Sequence, residues 1–359
     1  MKYTKFFKIS ILIFSLLALK AETYFKNDIK FDLSYGVQDK QILSKVSNNF
    51  FPDFYIKEQL PQDKELLKKV RKLFYERSNK SDKEKRKKVF DKCVEEYGAK
   101  EVYLKTDDGF NISSLYFKRE NSPINIIYVT GYFHDQTPLK EWCAPFAEIF
   151  PEYNILSFDW RGFGSSDGKD GKWTKNDFGS NAYPDILAAI DFIRKENDKP
   201  VVLVGFCFGA AIALKATLVA QKEKRNTPDL LVLNSIFKSF ENQYNRAILA
   251  EKRWYRRLIM NFLNKLGFNK YVLDHILTGS LFELKPIEVI NELKIPCYFE
   301  HFVGDPFAII EEGIEVFNKV DTQKKYLFSD IGSHVRIHSI APWQYKEHLN
   351  SFLKELGFI

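Results

Sequence analysis

Residues 201–211 read VVLVGFCFGAA. The apolar run VVLV is followed by GFCFG, in which Cys207 stands between two phenylalanines and two glycines, and then by two alanines. The run VVLV predicts a buried strand, and the continuation GAAIALKATLVAQKEK predicts a helix. A strand that turns directly into a helix needs small residues at the turn, because the two backbones approach closely. Gly205 and Gly209 supply them, so Cys207 is predicted to lie at the tip of a strand-to-helix turn.

Cys207 is a candidate nucleophile because of this position. At a helix N-terminus, the helix dipole and the backbone N–H groups favour the thiolate, which is the nucleophilic form of cysteine. The alternative is a buried core cysteine at a strand end, although glycine on both sides is unfavourable within a strand.

A second pattern, GSSDG at residues 164–168, matches the nucleophile signature G-x-S-x-G literally. In that signature the serine stands between a buried strand and a helix. The residues after Ser166 read DGKDGKWTKND, a turn-forming run that cannot continue as a helix. We therefore predict that Ser166 is not the nucleophile.

Eight short apolar runs alternate with helical patterns from about Glu101 onward, which predicts βαβ units and a mostly parallel eight-stranded sheet with helices on both faces. The first two runs flank the turn DDGFN and predict a hairpin. In order, the runs are EVYLKT, ISSLYFK, INIIYVT, YNILSFDW, PVVLVG, LLVLNS, PCYFEHF and KKYLFS.

Two regions fall outside this alternation. Residues 22–98 are predicted to form a helical N-terminal extension to a main domain at 99–359. Residues 236–285, between the sixth and seventh strands, form a helical insertion rich in aromatic and basic residues. Such an insertion can act as a cap over a site or as a helical pair that covers the sheet.

The N-terminal residues 1–21 have a cationic start and an apolar run at 9–19. A bilayer-spanning helix needs about 20 apolar residues, so this run fits the core of a signal peptide better, with Ala21 as an imperfect cleavage point. We expect an exported protein, periplasmic or secreted. A retained membrane anchor and a buried N-terminal helix are the alternatives.

The net charge of +7 is concentrated in one segment. Residues 62–92 hold 13 Lys or Arg against 6 Asp or Glu, so the rest of the chain is nearly neutral and general nucleic-acid binding is disfavoured. The segment has helical spacing and is read as a solvated face, with docking on an anionic membrane surface as the alternative.

The four cysteines, Cys93, Cys143, Cys207 and Cys297, have no metal-site spacing, and the sequence implies neither a metal nor another cofactor. In an oxidising compartment Cys93 and Cys143 could form a disulfide. Cys297 lies in an apolar run and is read as a core residue.

From about Glu101 onward the chain resembles the α/β-hydrolase family. Four motifs occur in the family's order, namely FDWRGFGSSDG, GFCFG, VGDPF and GSH. The resemblance implies the α/β-hydrolase fold. A cysteine at the strand-to-helix turn is similar to the dienelactone hydrolases, which lack the extension and the insertion, so their substrate is not carried over.

The family's order of nucleophile, acid and histidine implies that Asp305 in VGDPF and His334 in GSH complete a catalytic triad with Cys207. The histidine would accept the thiol proton, and the carboxylate would fix the histidine tautomer. Asp305 precedes Pro306 and could instead simply begin a turn. His338, one helical turn from His334, is the rival base.

The resemblance also implies two donors for an oxyanion. One is the backbone N–H of Phe208, and the other lies in the loop after INIIYVT. The family usually has His-Gly there, whereas this chain has Thr130-Gly131, so the backbone of Tyr132 is the candidate and His134 could replace the missing histidine.

Together these features predict a hydrolase that cleaves an ester or thioester of a small-molecule acyl substrate through a covalent acyl-enzyme on Cys207. The aromatic insertion hints at an apolar acyl group. The alternatives are a hydrolase-like binding protein with reduced chemistry, and a peptidase or lactonase of the same fold.

Overall fold

The computed structural model describes residues 52–78, 83–131, 140–168, 180–249, 254–267, 283–305 and 307–359. Its strands form one nine-stranded sheet in the order β1-β9-β8-β7-β6-β4-β5-β3-β2. Among the described strands, β3 runs opposite to its neighbours β2 and β5, and the other pairs are parallel. The strands are β1 Phe54–Ile56, β2 Lys100–Lys105, β3 Asn111–Phe117, β4 Asn125–Val129, β5 Asn154–Phe158, β6 Val201–Phe206, β7 Leu230–Asn234, β8 Cys297–Phe302 and β9 Lys324–Ser329.

The eight strands predicted from the sequence are all present as β2 to β9, but the predicted strand count of eight is wrong. The ninth, β1, comes from the N-terminal extension and pairs parallel with β9, with Tyr55 opposite Phe328. The Asp53 carboxylate accepts a hydrogen bond of 2.8 Å from the backbone N–H of Tyr326, which fixes this register. The extension is therefore not purely helical.

Eleven α-helices are present in the described residues. They are α1 Pro61–Ser78, α2 Lys83–Glu95, α3 Ala144–Ile149, α4 Tyr183–Glu196, α5 Phe208–Glu223, α6 Phe240–Leu249, α7 Trp254–Lys265, α8 Pro286–Val289, α9 Ile310–Asn318, α10 Ile337–Ile340 and α11 Pro342–Glu355.

The helices cover both faces of the sheet, as predicted. Helices α4, α5 and α9 pack on one face, and α1, α2, α3, α10 and α11 pack on the other. The extension is part of this core, because Val70 of α1 and Val89 and Cys93 of α2 are fully buried in it. All four cysteines are thiols, so no disulfide joins Cys93 to Cys143.

The insertion contributes α6 and α7, whereas residues 268–282 lie outside the described residues. Two contacts of Arg246 tie α6 to the main domain. Its guanidinium pairs with the carboxylate of Glu312 on α9 and donates a 3.1 Å hydrogen bond to the carbonyl of Phe307. Because Phe307 follows β8, the insertion lies beside the carboxyl edge of the parallel strands.

The predicted leader at residues 1–21 lies outside the described residues and stays a prediction. Among the helices that the structure describes, none has the length and apolar character that a bilayer span requires.

Candidate active site

Cys207 occupies the turn between β6 and α5 with φ 51° and ψ −112°. A positive φ is strained for a residue with a side chain and persists only where the surroundings impose it. Here the Cys207 N–H donates to the Asn234 carbonyl at 2.8 Å, and the Cys207 carbonyl accepts from the Ala210 N–H at 3.0 Å. The backbone thus holds the thiol at the N-terminus of α5.

Both glycines beside Cys207 are required by backbone contacts. A Cβ at Gly205 would lie 2.6 Å from the Ala210 Cα, and a Cβ at Gly209 would lie 2.3 Å from the Thr130 carbonyl oxygen. Such distances are closer than real Cβ atoms approach backbone. The glycines therefore allow α5 to pack against its own strand and against the end of β4, as the sequence predicted.

The structure brings Asp305 and His334 together with Cys207. His334 lies after β9, and its Nδ1–H donates to Asp305 Oδ2 at 2.7 Å. The Cys207 side chain also interacts with the imidazole and acts to raise its pKa, and Nε2 is the ring nitrogen that Asp305 leaves free for the sulfur. Asp305 is held in turn by the backbone N–H groups of Phe307 and Ala308, which donate to Oδ1 at 2.9 and 3.0 Å.

Two neighbouring side chains set the proton affinity of the imidazole. Burial acts to lower the pKa of His334, but Asp305 and the Cys207 side chain outweigh burial and raise that pKa above its usual value. Burial acts to raise the pKa of Asp305, but His334 and the hydrogen bonds outweigh it and keep that pKa below its usual value. The arrangement favours an ionised carboxylate beside an imidazole that readily accepts a proton.

His338, the rival base, lies in an aromatic cluster. Its ring centroid is 5.2 Å from that of Phe206, 5.6 Å from that of Phe146 and 5.8 Å from that of Tyr345. Burial lowers the pKa of His338 to about 3, so it is a neutral core residue at physiological pH.

Of the two predicted oxyanion donors, only the N–H of Phe208 belongs to the described residues. The Phe208 N–H is the first of α5, where backbone N–H groups have no acceptor within the helix. Gly131 lies beside the nucleophile, because a Cβ built on it would be 3.6 Å from the Cβ of Cys207. Tyr132 and His134 fall outside the described residues, and their roles stay predictions.

Comparison with known proteins agrees with this architecture. Residues 128–277 match a family model described as the alpha/beta hydrolase family. The Pyrococcus furiosus esterase Pf2001 superposes with a TM-score of 0.53 at 20% sequence identity, over 72% of this chain and 93% of the esterase. The chain has the α/β-hydrolase fold. The acetyl xylan esterase from Paenibacillus sp. R4 shares this α/β-hydrolase fold, with a TM-score of 0.51 at 16% identity over 71% of this chain and 83% of that enzyme.

Two proteins are similar to this chain in sequence. The lysophosphatidylserine lipase ABHD12 of Xenopus tropicalis is 27% identical over 168 residues, which make up 46% of this chain and 39% of the lipase. The uncharacterized protein YqkD of Bacillus subtilis (strain 168) is 21% identical over 256 residues, or 69% of this chain and 77% of YqkD. This chain thus spans well under half of the lipase.

Ser166 is buried and has a structural role in this fold. It is 2% exposed, its Oγ–H donates to the Asp159 carbonyl at 2.6 Å, and its Oγ accepts from the Ser113 N–H at 2.9 Å. The Asp159 carboxylate accepts from the Lys140 N–H at 2.9 Å and the Ser165 N–H at 3.1 Å. Ser166 and Asp159 therefore order the loop after β5, and Ser166 has no exposed hydroxyl for attack.

Ser166→Ala is expected to lower the free energy of unfolding by about 1–3 kcal/mol, because it leaves a buried N–H and a buried carbonyl without their partner. Turnover of a soluble chromogenic ester should stay within about threefold of wild type, since neither group touches Cys207. Denaturant unfolding and steady-state kinetics measure the two effects. A loss of turnover far larger than the loss of stability would contradict this assignment.

The sequence did not point to Asn234 and Glu300, which support the turn at Cys207. Asn234 Nδ2–H donates to Glu300 Oε2 at 2.5 Å, and the Ser235 N–H donates to the Glu300 carbonyl at 2.8 Å. Burial raises the pKa of the Glu300 carboxyl to about 8. Asn234 is the last residue of β7, and Glu300 is a charged residue inside the otherwise mostly apolar strand β8, which was the available signal.

A groove of about 660 Å³ extends along α5 from its first turn. Its residues on α5 run from Ala211 to Lys222, so the groove follows the helix away from the turn at Cys207. Half of its lining residues are apolar, including Leu214, Leu218, Leu284, Pro286 and Val289, and the other half are polar or charged.

Proposed function

We propose that this protein hydrolyses carboxylic esters or thioesters of small-molecule acyl substrates, with Cys207 as the nucleophile. The observation that carries the proposal is that Cys207, at a strained strand-to-helix turn, interacts with His334, which is hydrogen-bonded to Asp305. A nucleophile bonded to a base, which a third group orients, is the arrangement that covalent acyl transfer needs.

In the proposed first half-reaction, His334 Nε2 takes the proton of the Cys207 thiol, and the sulfur attacks the substrate carbonyl carbon. The carbonyl oxygen becomes an oxyanion, which the N–H groups of Phe208 and Tyr132 would stabilise. As the C–O or C–S bond to the leaving group breaks, the imidazolium donates its proton to that group. A thioester acyl-enzyme on Cys207 results.

In the second half-reaction, His334 accepts a proton from water, and the hydroxide attacks the thioester carbonyl. The C–S bond then breaks, the sulfur recovers a proton from His334, and the carboxylic acid leaves. Asp305 keeps its charge throughout, because it holds the imidazole through Nδ1 and offsets the positive charge on the ring.

The groove along α5 and the lipase relative favour an apolar acyl group in the substrate. The groove begins at Ala211, one helical turn after Cys207 in the chain, and half of its lining residues are apolar. The aligned relative named a lysophosphatidylserine lipase cleaves a lipid ester according to its name. We therefore infer a preference for acyl chains longer than acetyl.

Trapping of the acyl-enzyme tests the proposal. The full chain is mixed with p-nitrophenyl butyrate, quenched in acid, digested and analysed by mass spectrometry. A butyryl group is expected on the peptide that contains Cys207, and neutral hydroxylamine should remove it because a thioester is labile to that reagent. Cys297→Ala is the matched control and should still be acylated at Cys207. Turnover without any Cys207 adduct, or with an adduct on a serine, would refute the cysteine mechanism.

A further inference from the structure

Helix α7 in the insertion presents an exposed apolar stripe. Tyr255, Leu258, Ile259 and Phe262 lie on one face of α7 at the i, i+3, i+4 and i+7 positions, and Leu266 follows one residue after the helix ends. Their exposed fractions are 46, 65, 43, 62 and 65%. Large apolar side chains this exposed, and contiguous on a surface, indicate an interaction site.

The charged residues of the same helix are all basic. Residues 254–265 hold three Lys or Arg and no Asp or Glu. A helix that combines an apolar face with cationic residues and no acidic ones is the pattern of a helix that lies in the interface of an anionic membrane. A protein partner with an apolar groove could bury the apolar stripe but would leave the basic side chains without anionic partners. An anionic phospholipid surface binds both, so the excess of positive charge favours a membrane.

The basic segment at residues 62–92 lacks such a face in the described residues. Helices α1 and α2 turn Leu67, Val70 and Val89 into the core. Among the side chains described there, none is a large apolar residue classed as exposed. The basic segment can add electrostatic attraction to an anionic membrane. Only α7, among these helices, has an exposed apolar face that could insert between the lipid headgroups and the acyl chains.

We propose that α7 docks this protein on anionic phospholipid membranes by inserting its apolar stripe below the headgroups. The inference goes beyond the proposed hydrolysis and does not depend on it. Since Arg246 of the neighbouring helix α6 contacts the Phe307 carbonyl beside Asp305, docking through the insertion would place the carboxyl edge of the sheet close to the bilayer.

A vesicle co-sedimentation experiment on the full chain tests the docking surface. The probes are vesicles of phosphatidylcholine alone and vesicles with about 30% phosphatidylglycerol. Wild type should bind the anionic vesicles more tightly, and raising the salt to about 0.5 M should weaken binding by screening the cations. The double variant Leu258→Glu, Phe262→Glu should lower the partition coefficient by at least about tenfold, because two apolar anchors are lost and two like charges are added.

Tyr103→Glu is the matched control, because Tyr103 is 58% exposed on the edge strand β2 and lies outside the insertion. It should bind vesicles as wild type does. Both variants should turn over soluble p-nitrophenyl butyrate at the wild-type rate, which shows that they are folded and separates failure of docking from failure of the proposed catalysis.

Three results would overturn the docking proposal. The first is equal vesicle binding by wild type and the α7 double variant, as expected if residues 9–19 or 62–92 account for all binding. The second is equal loss of binding in Tyr103→Glu. The third is absence of vesicle binding combined with a dimer, seen by sedimentation equilibrium, that the α7 substitutions dissociate, since the stripe would then bind a second copy of this chain.

Discussion

Cys207→Ala and His334→Ala are each expected to lower kcat/KM for p-nitrophenyl butyrate by about 10,000-fold, because each removes a member of a unit that acts together. Without the sulfur no covalent intermediate forms. Without the imidazole, nothing in the row accepts the thiol proton or returns it to the leaving group. The double variant should be little worse than either single variant, since the effects are not additive. Steady-state kinetics with active-site titration measures each value.

His338→Phe is the control that separates the two histidines. His338 packs against Phe206, Phe146 and Tyr345, so a phenyl ring should preserve the aromatic contacts. Its turnover should remain within about threefold of wild type. Loss of activity in His338→Phe with retention in His334→Ala would exchange the roles of the two residues.

Full activity in Cys207→Ala would remove the cysteine from the reaction. Inactivity of the wild type toward every ester would favour a binding protein.

The local signals in the sequence were strong where backbone geometry restricts the residue type. The turn at Cys207 was predictable because only small residues fit where Gly205 and Gly209 meet backbone atoms. The same reasoning set aside Ser166, whose following residues cannot continue as a helix. The contact between Asp305 and His334 could be expected only from the family's order of motifs, since nothing local in the sequence brings them together.

The strand β1 and the residues behind the turn were not predictable in the same way. β1 has only three residues and exists because β9 offers an unpaired edge, which is a tertiary effect. Asn234 ends β7 and Glu300 lies inside β8, where each polar side chain could equally have faced solvent. Their mutual hydrogen bond satisfies them inside the fold, and only the pairing of β7 with β8 reveals it.

The close approach of α5 to β4 carries a second large expected effect. Gly209→Ala places a Cβ 2.3 Å from the Thr130 carbonyl oxygen and 2.8 Å from that of Val129. Both atoms belong to the backbone, so the helix and the strand end must separate. We expect a loss of about 3 kcal/mol in the free energy of unfolding. We also expect kcat/KM to fall by about 100-fold, because Gly131 beside the nucleophile moves with Thr130.

Gly98→Ala is the comparison that isolates the clash at Gly209. Gly98 has a φ of +66°, but no atom lies within 4 Å of a Cβ built on it. Its alanine variant should lose only about 1 kcal/mol through backbone strain and keep wild-type turnover. Urea unfolding and ester kinetics on both variants distinguish the two causes. If Gly209→Ala matched Gly98→Ala in both measurements, α5 would not need to pack this closely on β4, and the glycine would have no role in positioning Cys207 against the loop at Gly131.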